Sequence, residues 1–167
     1  MFVLGIDPGL TRCGYGAVRR RGSALAAEAA GMLTTAATDP LPERLGTLQL
    51  GLRRLLAELR PDVVAVERIF FQANVRTAMS VGQASGLALA EASNAGCVIV
   101  EYTPNEVKMA VTGYGAAPKE QVQRMVQAQL ALVERPRPPD VADALALALC
   151  HLAVARLGAR VREAEAR

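Results

Sequence analysis

The sequence predicts an α/β domain built on a mixed five-stranded sheet, an antiparallel meander extended by parallel strands, with helices on both faces. Three observations lead there. Strand-like segments follow one another without a helix up to Thr34. Helix-like and strand-like segments then alternate. Two of the apolar strands, within "FVLGID" at 2–7 and "VVAVE" at 63–67, end in a carboxylate.

Residues 2–6 and 13–19 read as two strands joined by a turn at Pro8 and Gly9. Ala24 to Thr34 is rich in alanine and could be helical by propensity, but Gly22, Gly31 and its position after two strands favour a third strand of the meander. An amphipathic helix follows, with Leu45, Leu48, Leu52, Leu55, Leu56 and Leu59 on one face and Arg53, Arg54 and Glu58 on the other; Pro61 stops it. A right-handed crossover through this helix sets the strand at 63–67 parallel to a strand of the meander, and the first strand is its natural neighbour. A helix over 73–95, closed by Gly96, leads to "CVIVEY", a further parallel strand. "TPNE" is a helix start, with Thr103 as cap, Pro104 in the first position and Glu106 reaching back. The loop "TGYGAAP" leads to a helix from about 118 to 132, and "RPRPP" leads to a last helix starting near Asp140. Residues 1–157 form a single domain on this reading, and 158–167, with five charged side chains, a disordered tail.

At 167 residues and 51% hydrophobic content the chain suits one domain with a real core. No basic segment precedes a long apolar one at the N-terminus. The uncharged stretch 77–90 is filled with small residues and is too short to cross ~30 Å of hydrocarbon. A cytoplasmic protein with no membrane association is expected. Cys13, Cys97 and Cys150 are odd in number and widely spaced, which fits reduced core thiols better than a disulfide framework or a zinc site. The net charge of +3 permits an acidic partner. Only two of the nineteen cationic side chains are lysines, Lys108 and Lys119, and they stand in a stretch otherwise lacking arginine from 103 to 123.

Asp7 and Glu67 finish apolar strands that are expected to be parallel neighbours, so both carboxylates belong to the edge of the sheet where open α/β folds place their sites. Two such anions repel strongly unless a cation lies between them. Asp140 and Asp143 are three residues apart, on one face at the start of a buried helix. Capping and the helix dipole explain those two taken alone; with two further carboxylates at strand ends, a shared cluster of oxygen donors for Mg²⁺ or Mn²⁺ is the better reading. The single histidine, His151, is eight residues past Asp143, ~12 Å along the helix and too far to join them.

"GIDPGLTRCGYGAV", "VVAVERIFFQANVRTAMSVGQASG", "PNEVKMAVTGYGAAPKEQVQRMV" and "PRPPDVADALALALCH", in this order over residues 1 to about 155, together resemble the RuvC family, the bacterial Holliday junction resolvases of the ribonuclease H-like superfamily. The resemblance implies a homodimeric two-metal endonuclease that nicks two strands of like polarity symmetrically at a four-way DNA junction, in recombination and repair. It makes Asp7, Glu67, Asp140 and Asp143 the catalytic acids that bind Mg²⁺, two ions per site, with Mn²⁺ able to substitute. In some relatives a histidine replaces the carboxylate matching Asp140. It also implies a partnership with a branch-migration motor, RuvA and RuvB.

Around the cluster, Lys119 stands in the first turn of its helix, where a cation opposes the dipole, so a phosphate explains it better than stability does. The resemblance carries a DNA-contacting role to Lys119 and Lys108, and it makes Phe70 a wedge against unstacked bases at the branch point. Gln72, Asn74 and Arg76 continue that segment as candidate DNA contacts, and Arg12 is a candidate phosphate contact in the loop beyond Asp7. Gly82, Gly86 and Ala90 form a small-residue stripe, a candidate dimer surface. Two alternatives compete: a phosphotransfer domain like the actin-like ATPases and sugar kinases, whose phosphate loop the opening motif also resembles, and an inactive junction-binding module.

Overall fold

The computed structural model describes residues 1–68 and 75–165, with side chains to Gly158 apart from those at 75–77. The chain runs β1 (Phe2–Asp7), β2 (Arg12–Arg21), β3 (Ala24–Thr34), α1 (Leu41–Leu59), β4 (Val63–Glu67), α2 (Val75–Asn94), β5 (Val98–Tyr102), α3 (Pro104–Thr112), α4 (Lys119–Gln129) and α5 (Pro139–Glu165). The strands form one sheet in the order β3-β2-β1-β4-β5, with β1 to β3 antiparallel and β4 and β5 parallel to β1. The mixed sheet is therefore as expected, including β3, where position in the meander outweighs the helix propensity of its alanines.

Side-chain alternation along the strands sorts the core into two layers. Leu4, Ile6, Val64 and Val66 point to one face and pack on Leu48, Leu52 and Leu56 of α1 and Ala84, Ala88 and Ala92 of α2. Val3, Val63 and Ala65 point to the other, against α3, α4 and the alanine-rich α5. Helix ends follow their local chemistry. Arg60 takes a left-handed conformation and donates to the Leu56 carbonyl, ending α1 before Pro61. Thr103 and Glu106 close a capping box on α3, with Thr103 Oγ1 accepting from Glu106 N at 3.2 Å and Glu106 Oε2 accepting from Thr103 N at 2.8 Å.

Two boundaries differ from the sequence reading. α5 begins at Pro139, so Asp140 lies inside the first turn rather than at its cap. The backbone is still helical at Glu165, beyond Gly158, because the alanine- and arginine-rich segment there has good helix propensity. The stretch 139–158 is long and apolar enough to span a membrane by length and composition alone, more so than 77–90; in the fold Val141 to Leu152 is the central core helix, buried along most of its length.

Candidate active site

The site is built by the parallel pairing of β1 and β4. Val3 is in register with Val63 and Ile6 with Val66, so Asp7 and Glu67 end their strands side by side. By alternation both carboxylates share the face of Val3, Val63 and Ala65, which is the face α5 covers. Glycines let that helix lie directly on the strands. A Cβ on Gly5 would fall on the Ala144 carbonyl, one on Gly14 on the Asp140 carbonyl, and one on Gly16 on the Leu145 side chain. Because Gly14 is the cross-strand partner of Asp7, this contact seats the first turn of α5 beside Asp7. Asp143, one turn further on, lines a cleft of about 220 Å³ together with Glu67, Lys108 and Lys119.

The sequence reading thus brings four acids to one place, and the structure does the same. Their charges interact. The Asp7 carboxyl is pushed up to about 8, first by burial and then by Glu67, Asp143 and Asp140. Burial also raises Glu67; Asp143 adds to the rise, while a hydrogen bond from Asp7 and the charges of Lys119 and Lys108 oppose it. The hydrogen bond between the two raises Asp7 and lowers Glu67, so of the pair Asp7 is the one that holds a proton more readily, while burial keeps both above the ordinary range. The α5 aspartates are neutralised differently. Asp140 Oδ2 accepts from Arg12 Nη2 at 2.5 Å, and Asp143 Oδ2 lies 2.6 Å from Lys119 Nζ. Burial works against the Lys119 charge, but hydrogen bonding to Asp143 and the attraction of Asp143, Asp7 and Asp140 together hold its pKa above the ordinary lysine value.

Among the described residues no three Asp, Glu, His or Cys side chains are already arranged around one point as a ligand cage. Each α5 aspartate is turned to a neighbouring cation instead, Asp140 to Arg12 and Asp143 to Lys119. The donor set itself is all carboxylate, with His151 occupied elsewhere by a 2.8 Å hydrogen bond to Tyr102 Oη. Hard oxygen donors of this kind suit Mg²⁺ or Mn²⁺ and not zinc.

Sequence reasoning placed Arg12 and Lys119 against DNA phosphate; here each also pairs with an acid of the cluster, a contact joining residues 128 apart in the case of Arg12. It missed Arg44 as well. Arg44 Nε donates to Thr35 Oγ1 at 3.0 Å and Nη2 to Thr11 Oγ1 at 2.7 Å, while Thr35 Oγ1 donates to the Leu10 carbonyl at 2.7 Å, so the turn after Asp7 is braced from α1. The glycines at alternate strand positions were the available signal for the close approach of α5. Lys108 lines the cleft beside Glu67. Phe70, Gln72, Asn74 and the Arg76 side chain lie outside the described residues. Cys13, Cys97 and Cys150 are free thiols, the first and last buried.

A family model described as crossover junction endodeoxyribonuclease RuvC matches residues 3–151. The chain belongs to the RuvC family. Among curated members, crossover junction endodeoxyribonuclease RuvC of Moorella thermoacetica is 49% identical over 167 residues, all of both chains. That of Chloroflexus aggregans is 52% identical over 151 residues, 90% of this chain and 92% of its own. A solved structure of Thermus thermophilus RuvC in complex with Holliday junction substrate superposes with a TM-score of 0.90 at 41% identity, covering 95% of this chain and 96% of that one. The fold is therefore the ribonuclease H-like fold of RuvC. The yeast mitochondrial Holliday junction resolvase Ydc2, with a TM-score of 0.65 at 16% identity over 90% of this chain and 78% of its own, shares that fold.

Proposed function

We propose that this RuvC-family chain is a structure-selective endodeoxyribonuclease that resolves Holliday junctions by paired symmetric nicks in DNA recombination and repair. One observation carries the reading beyond family membership. Asp7 forms no ion pair among the described residues, and the neighbours that dominate its charge environment are Glu67, Asp143 and Asp140. A fold that merely needed stability gains nothing from such a group.

In this reading the divalent ions would be held by Asp7, which would serve both, by Glu67 for one and by Asp140 and Asp143 for the other. When bound, Mg²⁺ or Mn²⁺ supplies an activated water and offsets the charge on the attacking and leaving oxygens of the phosphodiester. Lys108 and Lys119 steady the phosphate at the cleft, and Phe70 serves as the wedge among bases. Arg12, Gln72, Asn74 and Arg76 extend the DNA contact. Two nicks at equivalent positions require two sites related by a two-fold axis, hence a homodimer. On α2 the exposed side carries Met79, Gly82, Gly86 and Ala90, and among the described residues a Cβ on either glycine meets nothing within 4 Å, which leaves room for a second copy. A RuvA and RuvB branch-migration motor is the partner, and the bacterial cytoplasm the location, that the family implies.

The test compares cleavage of a four-way junction, a linear duplex and an RNA–DNA hybrid in Mg²⁺ and in Mn²⁺, with Glu67→Gln as control. Junction-selective, metal-dependent nicks with 5′-phosphate ends, lost in the control, are expected. Equal cutting of all three substrates contradicts junction selectivity. Tight junction binding without cutting in either metal favours the inactive binding module.

A further inference from the structure

Arg12 and Lys119 approach the acid cluster from different elements, one from the start of β2 and the other from the start of α4, and each ends on a single aspartate of the same helical turn. Both cations are substantially solvent-exposed, with side-chain exposures of 47% and 58%. Among the described residues Arg12 makes one further side-chain hydrogen bond, a 3.4 Å contact to Met32 Sδ, and Lys119 is the first residue of its helix. Exposed long side chains of this kind can swing away at little cost. Lys108 provides a comparison within the same cleft, since it lowers the Glu67 pKa through space yet forms no ion pair among the described residues.

We propose that Arg12 and Lys119 are internal competitors of the divalent ions: each occupies one of the α5 aspartates, loading of metal releases both side chains, and the released cations become available to DNA phosphates. This rests on the metal-dependent nuclease reading of the site and adds a coupling to it. An aspartate oxygen held by a guanidinium or ammonium group has to exchange that partner for the ion, so the pairs subtract from metal affinity. Phosphates of a bound junction offer the displaced cations a new counter-charge, so DNA and metal favour one another, and by linkage the effect is reciprocal. Removing either cation then has two opposed consequences, tighter binding of metal alone and weaker coupling between metal and DNA. A residue that served only to grip phosphate would show a smaller, through-space gain in metal affinity and no loss of coupling confined to metal-loaded protein.

The experiment measures Mn²⁺ binding by calorimetry to the full chain without DNA, for the wild type and for Arg12→Gln, Lys119→Gln, Lys108→Gln and the conservative Lys119→Arg. Folding of each is checked by thermal melting. Arg12→Gln and Lys119→Gln are expected to lower the Mn²⁺ dissociation constant about two- to fivefold each, the range that an exposed ion pair corresponds to. Lys108→Gln should change it less, and Lys119→Arg should leave it near the wild type. In parallel, junction binding is measured with and without Ca²⁺; the wild type is expected to bind more tightly with the ion, by a factor that shrinks toward one in the Arg12→Gln, Lys119→Gln double variant. Unchanged or weaker Mn²⁺ binding in both single variants, or an equal gain in Lys108→Gln, overturns the competition. Absence of Mn²⁺ binding by the wild type overturns instead the reading of the site on which it rests.

Discussion

Two acids of this chain respond to their surroundings in opposite ways. Glu91 on α2 is the more deeply placed, only 3% exposed, yet its pKa is held below the ordinary carboxylate value, first by hydrogen bonding from Arg53 and then by Gln49. Arg53 Nε and Nη2 each reach it at 2.9 Å and Gln49 Nε2 at 2.7 Å. Asp7 is more accessible and is pushed up to about 8. Burial is the first cause of the Asp7 shift and its acidic neighbours the next, and among the described residues no donor offsets either as Arg53 and Gln49 do for Glu91. On the α1/α2 face the fold supplies donors to one anion; at the sheet edge it gathers anions around one another. The first arrangement stabilises the protein by itself, whereas the second is stable only when something positive enters it.

The contrast can be broken by substitution. Asp7→Asn is expected to lower junction cleavage by about 10³-fold or more, the loss that several kcal/mol of transition-state stabilisation produces. The same change should stabilise the metal-free protein. A carboxyl raised to about 8 from the 3.8 of the unfolded chain favours the protonated form in the fold, so its contribution to stability is lost progressively as pH rises through that window. Melting temperatures of Asp7→Asn and wild type should therefore converge near pH 4 and separate toward pH 8, with the variant higher. Added Mg²⁺ should raise the wild type and leave the variant behind.

Glu91→Gln is expected to do the reverse, costing about 1.5–3 kcal/mol of stability with junction cleavage retained below the melting range. Its sign with pH is also opposite. The lowered pKa makes the Glu91 contribution present above about 4.5 and lost as pH falls through the folded value, so the gap between wild type and variant should close in acid. Denaturant unfolding at several pH values reads this directly. Gly14→Ala sharpens the comparison from the backbone side. Its new methyl meets the Asp140 carbonyl, which belongs to the helix and cannot turn aside, so a loss of about 1–3 kcal/mol should accompany reduced cleavage. Thr103→Ala removes one arm of the capping box on α3 and should cost about 1 kcal/mol while leaving the metal response unchanged.

The parts of the molecule that were legible in the sequence are those governed by local chemistry. The leucine stripe of α1, the Thr103–Glu106 box and the apolar strands ending at Asp7 and Glu67 each declare themselves within a few residues. β3 needed one further step, since only its place after two strands outweighs its alanine content. Charge partners were less legible. Nothing near Arg12 in the sequence indicates Asp140, and Lys119 is separated from Asp143 by a helix and a proline-rich loop; both pairs exist only because α5 crosses the sheet at glycines. Glu91 looks like any helical acid until α1 is laid against α2. Local pattern thus located the acids of the site, and the tertiary crossing decided which of them met a cation and which met another acid.

The proton balance of metal binding tests this account most directly. Calorimetric titration of the wild type with Mg²⁺ or Mn²⁺ in buffers of different ionisation enthalpy should show close to one proton released per chain at pH 7, because a carboxyl titrating near 8 has to give up its proton to become a ligand, and that release should fade above about pH 9 and vanish in Asp7→Asn. Binding of the ions with no proton released, or the same release from Asp7→Asn, contradicts a site in which acids share one space until divalent cations enter it.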